Sequence, residues 1–321
     1  MNLLIYFMLM TMSMLSINTT NLFFLWMFLE ISSMSFMIYL NINSIKIYSI
    51  MYFLISSMSS ILILISILTQ YHLMNINYLL MFSLWLKLGM FPLNNWMNFM
   101  MKNINYISLI PLLTLMKMIP LMMFIYFIKL NFYILTLLLL MMLPPVIFSF
   151  NTSSYTLLMN YSSMYNMPLI LIFSFFNLSL MMIYMMTYMI ITMYLLLILN
   201  SYSLYYKNSL NLNIYKNNFF INLMMFMYAQ LPPFSTFVIK WNLINYILKI
   251  NNNLTLMLML IIFCSLMMTF NYLNFNNYNY YLNYMKINHK INIKKNNIKL
   301  NMLLNISFIN FTMMFMYMFM E

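Results

Sequence analysis

Four ionisable side chains stand in the interior of long apolar runs: Glu30, Lys87, Lys117 and Lys240. A charge at the centre of a bilayer costs roughly 2.5–3.5 kcal/mol on insertion scales, so four unpaired ones would cost on the order of 10 kcal/mol. Glu30 neutralises at most one lysine at a time. At least two lysines must therefore be hydrated, neutral part of the time, or paired with a neighbouring chain. Burial disfavours an ammonium, and a nearby carboxylate favours it. A lysine held between these two influences is a switchable proton carrier. The chemistry these residues offer is proton transfer. For any single lysine the alternative is snorkelling or helix packing; it accounts poorly for all four together.

Two of the lysines lie beside prolines. In the segment WLKLGMFPLNNW, Lys87 stands five residues before Pro92; in AQLPPFSTFVIKW, Lys240 follows Pro232 and Pro233 by eight and seven residues. Proline interrupts the helical hydrogen-bond ladder, and freed carbonyls inside a membrane are tolerated only where protein or water satisfies them. These segments lie five spans apart, and the order of lysine and proline is reversed between them. Five is odd, so equivalent spans run in opposite directions. That is the pattern of an inverted repeat of two five-helix units, and transporters place ion sites at such breaks. Pro111, Pro120 and Pro168 are read as simple kinks.

The elements that must position these residues follow from composition. The 321 residues are 65% hydrophobic and 5% charged, with fourteen lysines, two glutamates and a formal charge of +12. A soluble domain is about 25% charged, so the expected solvent is a bilayer. The sequence predicts an all-α polytopic membrane protein with about eleven spans, near residues 3–16, 22–40, 49–69, 79–96, 107–129, 132–150, 155–176, 180–199, 218–249, 254–272 and 302–320. The ninth is read as one broken helix. The chain is read as a single transmembrane domain, with repeat halves at 1–130 and 131–273 and a basic loop plus last helix at 274–321. No cleavable leader is expected, because the start MNLLIYFMLM has no basic region before its apolar run.

Several chemistries are excluded. Gly89 is the one glycine, so neither a dinucleotide-binding glycine loop nor a P-loop exists. Cys264 alone makes no intrachain disulfide and holds no iron–sulfur cluster. His72 and His289 lie in polar stretches, which disfavours a buried haem. No arginine is present, and the Lys/Asn/Ile loop at 286–299 reads as a solvated, headgroup-facing loop or a docking surface rather than a nucleic-acid site. The scarcity of Gly, Ala, Val, Asp and Arg beside 45 methionines follows codon A+T content and points to an organelle-encoded gene. Nine loop lysines follow even-numbered spans (Lys46, Lys102, Lys207, Lys216, Lys286, Lys290, Lys294, Lys295, Lys299) and two follow odd-numbered ones (Lys129, Lys249). By the positive-inside rule the even loops and the N-terminus face the inner side.

The segments WMFLE (Trp26 to Glu30), WLKLGMFPLNNW, PLLTLMKMIPL, YSSMYNM and AQLPPFSTFVIKW resemble, in order and spacing, those of the chain 2 subunits of NADH–ubiquinone oxidoreductase, respiratory complex I. The resemblance runs over nearly the whole chain and implies an antiporter-like fold with two discontinuous helices. It implies a proton-translocating, non-redox subunit of the NADH:ubiquinone reductase, with flavin, iron–sulfur clusters and ubiquinone carried elsewhere and no cofactor here. Its partners would be other membrane-arm subunits and the lipid bilayer. It would be multi-pass in the mitochondrial inner membrane, N-terminus towards the matrix and C-terminus towards the intermembrane space. By the same resemblance Glu30 and Lys87 form the ion pair of a first half-channel, Lys117 is the central relay and Lys240 serves the exit half-channel. Asn94 and Asn166 stand where the family carries histidines, Thr156 and Leu157 where it has a basic pair, and Ala229 and Gln230 where it has two glycines. Tyr161, Ser162 and Ser163 are candidate polar relays in their place. The alternatives are a stand-alone cation/proton antiporter, which fits less well with one intramembrane acid, and a purely structural membrane subunit.

Overall fold

The computed structural model describes residues 2–43, 46–69, 77–128, 131–201, 205–206, 218–231, 234–250 and 255–284. His72, Pro232, Pro233, His289, the 286–299 loop and the span expected at 302–320 lie outside the described residues. Every regular element among the described residues is a helix: α1 (Asn2–Asn18), α2 (Leu22–Asn43), α3 (Lys46–Thr69), α4 (Asn77–Leu88), α5 (Asn95–Asn103), α6 (Tyr106–Leu113), α7 (Leu115–Phe127), α8 (Phe132–Phe150), α9 (Tyr155–Phe176), α10 (Leu178–Ser201), α11 (Asn218–Tyr228), α12 (Ser235–Ile250) and α13 (Thr255–Tyr284). Six described stretches are long and apolar enough to cross a membrane: Leu22–Asn43, Lys46–Thr69, Tyr106–Phe127, Phe132–Phe150, Leu178–Ser201 and Thr255–Asn274.

The helices are built for lipid. In α3 the buried positions are Ser49, Tyr52, Ser56, Ser59, Ser60, Ile63 and Ser66, while Ile50, Leu54, Met58, Ile61, Ile65 and Leu68 face outward. In water the opposite arrangement would be required. Lipid gives no drive to hide leucine, so small residues occupy the interior and let helices approach closely. Their hydroxyls stay satisfied within the helix, as Ser59 Oγ donating to Ser56 O at 2.8 Å and Ser66 Oγ donating to Ile63 O at 2.6 Å.

The chain divides into two compact units, Met1–Phe175 and Phe176–Glu321. In the first, α1 packs on α2, α2 on α3 and α3 on α4, and α7 packs against α1, α2 and α4. Nine of the thirteen residues of α7 are buried, from Leu115 through Phe124, so this helix is the core of the unit. In the second, α10 packs against α11 and α12, and α13 against α11 and α12.

Both expected breaks occur, and the backbone shows how they are made. Helix α4 ends at Leu88, where Gly89 turns left-handed at φ 65. The Gly89 amide donates to Leu86 O at 3.3 Å and the Met90 amide to Trp85 O at 3.1 Å, a Schellman closure. The chain passes Pro92 through a cis Phe91–Pro92 bond and restarts as α5. Helix α11 ends in the same way. Gln230 takes φ 60, its amide donates to Met227 O at 3.1 Å, and the Leu231 amide donates to Phe226 O at 3.4 Å. Proline alone does not stop a helix here. Pro144 and Pro145 lie inside the continuous α8, and Pro168 lies inside α9.

Two features were not foreseen. Span five is irregular at Thr114, which has φ −110 and ψ −80 and separates α6 from α7. Pro111 and Pro120 flank it, each removing an amide donor, and Thr114 Oγ1 caps the Ile110 carbonyl at 2.7 Å. Helix α13 also continues to Tyr284, twelve residues past its expected end at 272. Its continuation is Asn- and Tyr-rich, so hydropathy falls away while helical hydrogen bonding does not.

Candidate functional site

In the first unit the charged residues are set by three adjacent helices. Trp26 Nε1 donates to Ser60 O at 3.3 Å and ties α2 to α3 one turn before Glu30. Glu30 is half-buried. Ser33 Oγ donates to its Oε2 at 3.1 Å and to its backbone carbonyl at 2.9 Å. The Glu30 charge acts on both Lys87 and the buried Tyr52 hydroxyl. Lys87 lies in the last turn of α4, where the free carbonyls favour a cation by about 0.3–1 kcal/mol. Its Nζ is buried and has no hydrogen-bond partner among the described residues. Burial disfavours a charge on Lys87, and the fields of Glu30 and of the helix end favour it, with no direct acceptor among the described residues. Removing the field of Glu30 is a direct test. Glu30→Gln keeps shape and removes charge, and any proton transfer that depends on Lys87 is expected to fall at least about tenfold. Proton uptake by inverted vesicles checks this, and an unchanged rate would leave Glu30 a packing residue.

Lys117 is bound differently. It is 3% exposed, and its Nζ donates to Ser163 Oγ at 2.8 Å. Ser163 Oγ donates in turn to the Asn160 carbonyl at 2.7 Å. The lysine sits one turn after the Thr114 irregularity, and its amide donates to Thr114 O at 3.1 Å. Because α4 packs against α7, the two lysine-bearing helices are neighbours. Among the described residues no carboxylate is hydrogen-bonded to Lys117; it meets a hydroxyl, which both accepts and donates.

The predicted relay positions divide. Ser163 meets Lys117 directly. Tyr161 is half-buried beside Phe148, ring centroids 6.3 Å apart, and its hydroxyl interacts with Asn98. Ser162 Oγ donates to Met159 O at 2.7 Å. Asn94 precedes α5 and is 5% exposed; its Nδ2 reaches only Met164 Sδ, at 3.6 Å. Asn166 is buried on α9. Sequence reasoning missed Asn160 and Asn98, whose amides join at 2.7 Å, Asn160 Nδ2 donating to Asn98 Oδ1. Asn160 Oδ1 is buried without a partner. The available signals were spacings: Asn98 follows Asn94 by one turn, and Asn160 precedes Ser163 by three residues.

The second unit holds Lys240, half-buried on α12 five residues after the helix restarts at Ser235. Its neighbour in electrostatic terms is the thiol of Cys264 on α13, which is 1% exposed. In the first unit the lysine precedes its break; in the second it follows. Among the described residues no three His, Cys, Asp or Glu side chains gather as a metal site.

This is an all-helical membrane fold with buried lysines at helix irregularities, and solved structures of membrane complexes share it. The chain aligns with one from the membrane-bound sulfane sulfur reductase, an archaeal respiratory membrane complex, at TM-score 0.76 and 16% identity over 98% of this chain and 73% of that one. It aligns with a chain of respiratory complex I from Thermus thermophilus with bound aureothin at TM-score 0.70 and 15% identity, over 81% of this chain and 66% of that one. A chain of the Mrp complex from Dietzia sp. gives TM-score 0.67 and 15% identity, over 83% and 59%. The chain therefore spans about two thirds or less of the Thermus and Dietzia chains. No family model matches. At the level of sequence the chain is similar to NADH-ubiquinone oxidoreductase chain 2 of Artemia franciscana, 28% identical over 222 residues that make up 68% of this chain and 71% of the relative.

Proposed function

We propose that this chain is a proton-translocating membrane-arm subunit of an NADH:ubiquinone oxidoreductase in the mitochondrial inner membrane. One observation carries the reading: Lys117, buried at the core of the first unit, is held by the Ser163 hydroxyl at 2.8 Å instead of by a carboxylate. A lysine fixed by a salt bridge would stay charged. One hydrogen-bonded to a hydroxyl has a partner that serves the ammonium and the amine alike. In this reading Lys87 keeps its proton while Glu30 is near and releases it when the two separate. Lys117 receives it, and Lys240 serves a second step within its own unit. Moving one charge across 100 mV takes about 2.3 kcal/mol, which a change of about two units in a lysine's proton affinity supplies at about 1.4 kcal/mol each.

The remaining parts of the reading belong to the same proposal. The chain would have eleven spans in inverted five-helix halves, with its N-terminus towards the matrix and its C-terminus towards the intermembrane space. Flavin, iron–sulfur clusters and ubiquinone would be carried by other chains, and this subunit would touch neighbouring membrane-arm subunits and lipid. The test is co-purification. The chain is expected to travel with rotenone-type-inhibitable NADH:ubiquinone reductase activity, and the isolated chain in liposomes is expected to exchange no sodium or potassium for protons. The second reading is the stand-alone antiporter, which the two left-handed helix breaks near Lys87 and Lys240 favour. Exchange by the isolated chain, with no reductase in association, would establish that reading instead.

A further inference from the structure

The second unit contains a buried polar cluster apart from its lysine. Tyr184 and Tyr188 stand one turn apart on α10 and are 0% and 4% exposed. Tyr228 of α11 lies with its ring 6.3 Å from that of Tyr188. Tyr272 of α13 meets Tyr228 edge-on at 5.3 Å and 81°. Three helices thus bring four buried phenols to the point where α11 ends. Gln230 joins them from the left-handed turn itself, donating Nε2 to Tyr184 Oη at 2.8 Å. Across the same break Thr236 Oγ1 donates to Met227 O at 3.2 Å.

Two polar atoms in this cluster are unsatisfied. Among the described residues Gln230 Oε1 is buried with no hydrogen-bond partner, and Tyr188 Oη interacts with Tyr228 without reaching full hydrogen-bonding geometry. A buried polar atom left so is unfavourable, because it has lost its water and gained no partner. Gln230 also holds a left-handed backbone, φ 60, a conformation unfavourable for a non-glycine residue. A side chain kept at such a position, hydrogen-bonded to Tyr184 through Nε2 and with its amide oxygen buried and unpartnered among the described residues, is the setting in which a buried water is retained; such waters bind two to four polar groups.

We propose that Gln230, Tyr184, Tyr188, Tyr228 and Tyr272 form an internal water-binding site at the end of α11, and that this site is a proton-transfer waypoint of the second unit. The proposal rests on the translocation reading above. Gln230 Oε1 anchors the water by accepting a hydrogen bond and exchanges no proton. Each water or phenol oxygen accepts a proton on one side as it gives up its own on the other, so one proton advances and no phenol ionises. Tyr272, Met268 and Cys264 recur every four residues on the buried face of α13. That face leads from the cluster to the thiol beside Lys240, about 12 Å along the helix at about 1.5 Å per residue.

The test uses the assembled complex. A cryo-EM map resolving ordered waters is expected to show density within hydrogen-bond distance of both Gln230 Oε1 and Tyr188 Oη. Tyr188→Phe, which removes one oxygen, is expected to lower protons moved per electron by this subunit at least threefold, as is Lys240→Ala. A dry cluster overturns the site. An unchanged ratio in Tyr188→Phe beside a lowered one in Lys240→Ala overturns the waypoint and leaves translocation standing. Unchanged ratios in both overturn translocation through this unit and the waypoint with it. Should Tyr188→Phe fail to assemble, Tyr272→Phe in the same measurement and the water density decide.

Discussion

Lys117→Ala is expected to stop coupled proton transfer through this subunit while the parent complex still assembles. A positioned proton-transfer group contributes roughly 10²–10⁴-fold, so transfer should fall at least about 100-fold. Assembly should survive because the lost contact is one hydrogen bond to Ser163 at 2.8 Å. Ser163 Oγ keeps its own bond to the Asn160 carbonyl, and so no donor is orphaned. The vacated volume does carry a cost, and Lys117→Met, which fills most of it, controls for that. Lys117→Arg separates the two meanings a buried lysine can have. Arginine remains protonated in proteins. If Lys117 only stabilises packing by its charge, arginine preserves function; if it must give up a proton, arginine is as inactive as alanine. The measurement is protons moved per electron in reconstituted complex. An unchanged ratio in Lys117→Ala, or full function in Lys117→Arg, would sink the relay.

The lysines themselves are legible in the sequence because a charge inside an apolar run is conspicuous. Their partners are not. Ser163 is one serine among many, and only the packing of α7 beside α9 selects it for Lys117. Cys264 comes near enough to Lys240 to act on it electrostatically only because α12 and α13 pack together. The buried faces are equally hidden. In α3 the interior is serine and the exterior is Ile, Leu and Met, so an apolar stripe does not mark the core as it does in water. The tyrosine cluster shows the same limit. Tyr184 and Tyr188 share a helix face by their four-residue spacing, but Tyr228, Gln230 and Tyr272 reach them only through the packing of α10, α11 and α13.

The breaks were visible through their prolines, yet their cause lies a few residues earlier. Both α4 and α11 close by the same pair of backbone bonds around a left-handed residue. In one break that residue is the chain's single glycine; in the other it is Gln230. The chain has no other glycine. Gln230 is therefore direct evidence that a left-handed cap without glycine is bearable in this protein, and its amide recovers part of the cost through Tyr184 Oη at 2.8 Å. Something besides φ must hold glycine at position 89.

That something is space, and it yields the second large prediction. A Cβ at position 89 would lie 3.2 Å from Met97 Cβ and 3.3 Å from Trp96 Cζ2. Met97 Cβ is fixed to the α5 backbone and has no rotamer to escape into. Trp96 is anchored by its Nε1–H, which donates to Leu86 O at 3.2 Å across the break. Gly89→Ala therefore asks Met97 and Trp96 to give by a few tenths of an ångström, in addition to the roughly 1–2 kcal/mol left-handed cost. Overpacking of this kind adds about 1–3 kcal/mol. Lys87 lies two residues upstream, with its Nζ placed by the end of α4, so the same shift disturbs its position relative to Glu30. The expected result is a severe loss of assembled complex on native gels, with impaired proton transfer in what remains. Asparagine distinguishes the causes, because it tolerates the left-handed region far better than alanine but carries the same Cβ. If crowding by Met97 and Trp96 dominates, Gly89→Asn assembles no better than Gly89→Ala. Recovery in the asparagine variant would show that backbone conformation alone keeps glycine there.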